Sequence, residues 1–142
     1  LTREIGRNEL AAIEALHAYV DAQQSYFALN QKYAQKIVSS AGKKDGLYWP
    51  ASPGEAPSPL GPAFSPKEPG TGYHGYRFRI LPDKNGFAMV AWPVSYGQTG
   101  VMSFEINQTD KVYQSDLGSE SEKKAQALPA YHLDHTWQPV AT

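Results

Sequence analysis

The sequence contains no cysteine. That excludes disulfides, thiol nucleophiles and cysteine-ligated metals, and it leaves the redox compartment open. Charge of one sign is lacking as well. Thirteen Lys and Arg stand against fourteen Asp and Glu, a formal charge of −1. A chain so balanced has no electrostatic footprint for nucleic acid or an anionic membrane. No apolar run approaches the roughly 18 residues of a membrane span. Nucleophile elbow, Walker loop, dinucleotide fingerprint, EF-hand loop and HExxH motif are all missing, and no repeat of 20–50 residues is present. What remains is a chain of 142 residues, 41% hydrophobic and 12% aromatic. That is the length of one domain and enough apolar matter for a packed core.

The chain reads as a single α+β domain over residues 1–142, with a helical part at 1–46, a Pro/Gly-rich loop at 47–72 and a sheet with its tail at 73–142. It begins at Leu1 rather than Met, with a polar, charged stretch from Thr2 to Arg7. It is therefore read as a fragment or processed half of a longer precursor. From Arg7 to Asn30 the pattern is that of one amphipathic helix. Leu10, Ile13, His17, Val20, Gln24 and Phe27 recur at 3–4 spacing with Leu16 on their flank. Six alanines add propensity, Asn8 is placed to cap the start, and Glu9 to meet the positive helix end. Tyr19, Tyr26, Phe27 and Tyr33 read as core. His17 reads as a boundary residue hydrogen-bonded at the helix edge rather than as a base. A second helix is expected from Gln31 to Ser40, with Tyr33, Ile37 and Val38 inward and Gly42 to Gly46 as its stop.

Pro50 to Gly72 holds seven of the eleven prolines. Neither helix nor interior strand survives such a stretch, because proline lacks an N–H and fixes φ. The segment reads as an ordered surface loop anchored by Trp49, Leu60 and Phe64, with a polyproline ligand at Pro59–Pro62 as the alternative. After Gly72 the period becomes two. Tyr76, Phe78 and Ile80 alternate with Arg77 and Arg79, whose outer face is a solvated surface or an anion holder. Pro82 to Gly86 is a turn signal. Phe87–Trp92 (FAMVAW) reads as a central strand, Val101–Ile106 as a third and Val112–Ser115 as a fourth. Short connections make this an antiparallel four-stranded meander. Gly118 to Ala127 adds a short polar helix, and Trp137 and Val140 dock the tail. Asn107-Gln108-Thr109 is a glycosylation sequon in a turn and reads as chance.

Three constellations have chemical potential. His132, Asp134 and His135 are metal-ligand types, but their spacing fits no standard site. The expected metal is therefore none, and the expected cofactor none. Trp49, Tyr73, His74, Tyr76, Trp92 and Tyr96 form the candidate binding set, since aromatics with one histidine stack on a sugar ring or flank a base. Glu9 with Glu14, or Glu105 with Asp116, would serve as carboxylate pairs only if folding brought them together.

Taken in order, a series of segments is recognisable: Ile5–Glu14 (IGRNELAAIE), Ala18–Gln23 (AYVDAQ), Gly46–Pro50 (GLYWP), Ser58–Pro62 (SPLGP), Tyr73–Ile80 (YHGYRFRI), Gly86–Pro93 (GFAMVAWP), Tyr96–Met102 (YGQTGVM), Val112–Gly118 (VYQSDLG) and Trp137–Val140 (WQPV). The series resembles the C-terminal half of a bacterial secreted family known only as domain of unknown function 2950. The resemblance implies a periplasmic or secreted location and a precursor with a further N-terminal region. Many relatives carry an Asp/Gly-rich, calcium-loop-like insertion after the first helix and a longer loop between the first two strands. Here Tyr26 to Tyr33 and Pro82 to Gly86 close those gaps, so the resemblance brings no metal with it.

A looser similarity is to the globular part of type IV pilins and pseudopilins. It rests on the order of long helix, variable loop and meander, and on Asn8–Ile13, Ala22–Tyr26, Ala91-Trp92-Pro93, Thr99-Gly100-Val101 and Ser103-Phe104. The apolar helix half that assembles pilins is absent. The resulting expectation is a non-enzymatic, extracytoplasmic structural or interaction module with a protein partner, either the precursor's N-terminal region or another copy. A glycan- or peptide-binding module built on the six aromatic-set residues is the alternative, and a metal-dependent hydrolase a distant third.

Overall fold

The computed structural model describes residues 2–37, 39–40, 44–49, 53–55, 58–59, 73–81, 83, 86–131 and 133–140. Most of the proline-rich segment, with Leu60 and Phe64, lies outside them, as do Val38, Pro82, Asn85 and His132. The architecture is α+β. A 29-residue helix, α1 (Thr2–Asn30), precedes four strands: β1 (Tyr76–Leu81), β2 (Ala88–Pro93), β3 (Ser103–Asn107) and β4 (Tyr113–Ser115). A 3-10 turn at Gly118–Glu120 leads into a short helix, α2 (Ser121–Gln126), and the tail returns as β5 (Gln138–Pro139). The sheet has five strands in sequence order, all antiparallel. The expected meander is therefore one strand short. Trp137 is buried and Val140 packs on the core, as expected of a docked tail, and Gln138 and Pro139 pair with Gln114 and Tyr113 beyond that.

α1 starts five residues earlier than the pattern suggested, so Asn8 sits inside the helix and caps nothing. It ends where Gln31 turns to φ 61° and its N–H closes on Phe27 O at 2.8 Å. The buried stripe is Ala12, Ala15, Leu16, Tyr19, Val20, Ala22, Gln23 and Tyr26. This differs from the expected stripe by about one position. Leu10 is 57% and Phe27 38% exposed, and Gln24 faces solvent. The reason is steric and polar at once. Alanines let the helix lie close to the sheet, and the large polar residues on that side have partners waiting. Tyr19 donates to Ala88 O at 3.2 Å, and Gln23 donates to Tyr19 Oη at 3.0 Å. The desolvated Tyr19 hydroxyl is held above the usual tyrosine range by that burial.

No second helix forms over the described part of 31–40. Gln23 explains why. Its amide donates to Ala34 O at 2.9 Å and accepts from Ala34 N–H at 2.8 Å. Both backbone groups a helix would need at Ala34 are thereby taken. Instead the chain folds back on itself. Tyr48 N–H donates to Ile37 O and Ser39 N–H to Tyr48 O, both within 2.9 Å.

The sheet buries both faces. Tyr76, Met89, Ala91, Phe104 and Ile106 meet α1 on one side. Leu81, Ala88, Val90 and Trp92 meet Ala125 of α2, with Leu128 and Tyr131 at the margin, on the other. Arg77 and Arg79 are accordingly not a free solvated face, since both are engaged by the segment that covers it. Arg77 pairs with Glu122 at 2.7 Å, and Arg79 donates to Ala125 O at 3.0 Å and to Leu128 O. Those carbonyls end α2, where a cation is favoured. Period-two alternation gave the pleat correctly but could not show what covers its second side.

Candidate functional site

The chemistry-bearing residues gather where the first half of α1 meets two loops. The first is the turn Tyr73-His74-Gly75-Tyr76. Tyr73 and Tyr76 exchange backbone hydrogen bonds at 2.8 and 3.0 Å, with His74 at φ 49° and Gly75 at φ 77°. Two consecutive left-handed residues make this a type I′ turn. Glycine is required at the second position for space as well. A Cβ on Gly75 would lie 2.8 Å from the Thr99 side chain and 3.0 Å from Asn8 Nδ2.

The second loop joins β2 to β3. Its turn over Ser95–Thr99 is closed from both sides, since Thr99 N–H donates to Ser95 O at 2.9 Å and Ser95 N–H to Thr99 Oγ1 at 3.0 Å. α1 grips this loop through two adjacent residues. Asn8 Nδ2 donates to Thr99 O at 3.0 Å. Glu9 Oε2 accepts from Val101 N–H at 3.1 Å and from Met102 N–H at 2.9 Å. A carboxylate accepting two backbone N–H groups is among the stronger neutral-to-charged contacts a fold can make. Tyr76 completes the clamp by donating to Met102 O at 2.6 Å. Burial, then the charge of Glu9, holds its hydroxyl above the ordinary tyrosine range. A side chain at Gly100 would strike Tyr76 Oη at 2.2 Å, so the loop needs glycine there.

Beside the clamp runs an open groove of about 420 Å³. It is lined by Glu4, Arg7, Asn8, Leu10, Ala11 and Glu14 of α1 and by His74. His74 is exposed, its ring edge-on to Tyr73 at 4.5 Å.

The six residues of the aromatic set do not share one surface. Tyr73, His74 and Tyr76 share the turn, but Tyr76 points into the α1-side core. Trp92 is buried on the opposite face of the sheet. Tyr96 lies in the β2–β3 loop, half-buried, and donates to Asp116 at 2.7 Å, which raises its pKa. Trp49 is 7% exposed, with Lys44 Nζ 5.7 Å from its ring centre. Neither carboxylate pair is assembled. Glu9 is turned to the loop while Glu14 faces out, and Glu105 is fully buried while Asp116 is exposed. Asp134 accepts from Thr136 N–H at 2.8 Å, and among the described residues no three His, Asp or Glu gather as a metal site. His17 is the edge residue expected, donating from Nδ1 to Asp110 at 2.7 Å. The sequence marked Asn8 and Glu9 as helix-end residues, and Glu9 also as half of a carboxylate pair with Glu14. Their true role had one sequence signal, the adjacent polar pair at the flank of the buried stripe.

Among the described residues, no helix is long and apolar enough to cross a membrane. No curated protein and no solved structure matches the chain. One family model does, over residues 1–140, nearly the whole sequence. The segments that clamp the β2–β3 loop to α1 thus lie within a match that makes this chain a member of the family described as protein of unknown function, DUF2950.

Proposed function

We propose that the chain is a non-enzymatic structural or interaction module, placed outside the cytoplasm in the periplasm or secreted from a bacterium, with a pilin-like arrangement of helix and meander. One observation carries this reading: apart from His74, which stays exposed in the groove, most of the described side chains singled out for chemistry are engaged in holding the fold. Glu9 binds two backbone amides, Arg79 the end of α2, Arg77 Glu122, His17 Asp110 and Tyr96 Asp116. Such spent groups are poor acids, bases or nucleophiles, because each would have to break a native bond to react. Among the mostly polar residues that α1 leaves outward are two large apolar ones, Leu10 at 57% exposure and Leu29 at 70%.

Native mass spectrometry on protein purified from its own source tests the reading. A retained second polypeptide, or a multiple of 15.6 kDa, is the expected result. A lone chain carrying only a small added mass would overturn it in favour of ligand binding.

A further inference from the structure

The outward face of α1 carries an unusual charge arrangement around its exposed leucine. At 100° per residue, Arg7 and Glu14 lie within about 20° of one another on the helix wheel, pointing away from the sheet. Both are exposed. They are two turns apart, about 10.5 Å along the axis, too far to pair within their own helix. Neither takes part in any ion pair among the described residues. Midway between them stand Leu10 and Ala11, both lining the groove, the first 57% exposed on one flank of the stripe and the second half-buried on the other.

We propose that this face binds the same face of a second copy, with the two α1 helices antiparallel about a two-fold axis at the level of Leu10 and Ala11. The argument is charge complementarity under reversal. A cation and an anion placed symmetrically about a small apolar centre form a surface complementary to itself when turned end for end. It is not complementary to a partner of uniform charge. In that register Arg7 faces the partner's Glu14, and by symmetry Glu14 faces the partner's Arg7. Leu10 meets the partner's Leu10 on one flank. Ala11 meets the partner's Ala11 on the other, where a side chain of one carbon lets the axes approach to about 8–9 Å. The open groove of about 420 Å³ beside Ala11 gives the approaching helix room. The proposal rests on the interaction-module reading and names its partner.

Sedimentation velocity over a concentration series tests it. The unmodified chain sediments as a dimer at the upper concentrations. R7E and E14R each weaken the dimer about tenfold or more, because each replaces two attractions with two repulsions. The R7E/E14R double variant restores the affinity to within a few-fold, since the pairs re-form with signs exchanged. High salt weakens the unmodified dimer. Both positions are exposed, and circular dichroism of each variant verifies the fold. A chain monomeric throughout, or a dimer indifferent to R7E and E14R, overturns the proposal. If native mass spectrometry then finds a different polypeptide bound, only the self-pairing falls. If it finds none, the interaction reading falls with it.

Discussion

The two faces of the sheet are closed by different physics. On the α1 side Leu16, Tyr19, Tyr76, Phe104 and Ile106 are all within 1% of full burial, and rings pack edge to face, as Tyr19 does on Phe87 at 5.5 Å. The two large polar side chains buried there, Tyr19 and Gln23, are matched to Ala88 O, to Ala34 O and to each other. On the α2 side the apolar cluster is small, Leu81, Ala88, Val90, Trp92 and Ala125. There the short helix is held down by Arg77 and Arg79. Trp92 Nε1 and Ser103 Oγ are buried on this side without hydrogen-bond partners among the described residues. Close-packed area makes a face strong and sensitive to any lost volume. A face held by a few charged hydrogen bonds is weaker and opens locally.

The contrast sets the size of each substitution. Phe104→Ala empties the centre of the α1-side core and lowers stability by about 3–5 kcal/mol, read from urea unfolding followed by tryptophan fluorescence. A loss below about 1 kcal/mol would mean that this face is not the dominant one. Glu9→Ala leaves Val101 and Met102 N–H without their acceptor and costs about 1.5–3 kcal/mol in the same assay. Arg79→Leu costs only about 1 kcal/mol globally, because α2 lifts off rather than the whole fold failing. Hydrogen exchange shows it, with faster exchange at 121–128 and unchanged protection in β2 and β3. Equal loss in the strands would erase the proposed difference between the faces. Ser103→Ala removes an unpartnered buried hydroxyl and changes stability by less than about 1 kcal/mol, toward greater stability.

The smallest effect lies outside both faces. Asp45 is held well below the usual carboxylate range, first by the Ser40 N–H at 2.8 Å and then by Lys36 at 3.0 Å. A depressed folded pKa contributes order that is present above the unfolded carboxylate value and lost only as pH falls through the lower folded one. The described part of the fold-back, residues 36–37, 39–40 and 44–48, should therefore keep its amide protection at pH 4, where free carboxylates are half protonated. In Asp45→Asn that protection should fall at every pH. A wild-type loop that already opens near pH 4 would contradict the assigned contacts.

The sequence was informative in uneven ways. The first four strand positions followed from alternation and, for 87–92, from a nearly continuous apolar run, and the edge role of His17 from its place beside the apolar stripe. The stripe itself was misjudged, because hydropathy rates Leu10 and Phe27 above Ala12, Tyr19 and Gln23, whereas close approach and waiting hydrogen-bond partners favour the latter. The missing second helix has the same origin. Gln23 and Ala34 are eleven residues apart, and their reciprocal bonds at 2.8 and 2.9 Å exist only in the folded chain. The six-residue aromatic set failed to form one surface because residue type carries no information about which side of a sheet a ring will occupy once both sides are covered.

By itself the sequence determined the class, the family and the local elements: a proline-free alanine-rich helix, period-two strands, and glycines where turns need them. These depend on propensity and spacing within a few residues. Tertiary structure alone decided that Glu9 would clamp a loop more than ninety residues away, that Arg79 would cap a helix, and that the tail would add a fifth strand. Those are contacts between distant segments, selected by which partner each desolvated polar group can reach once the core has closed.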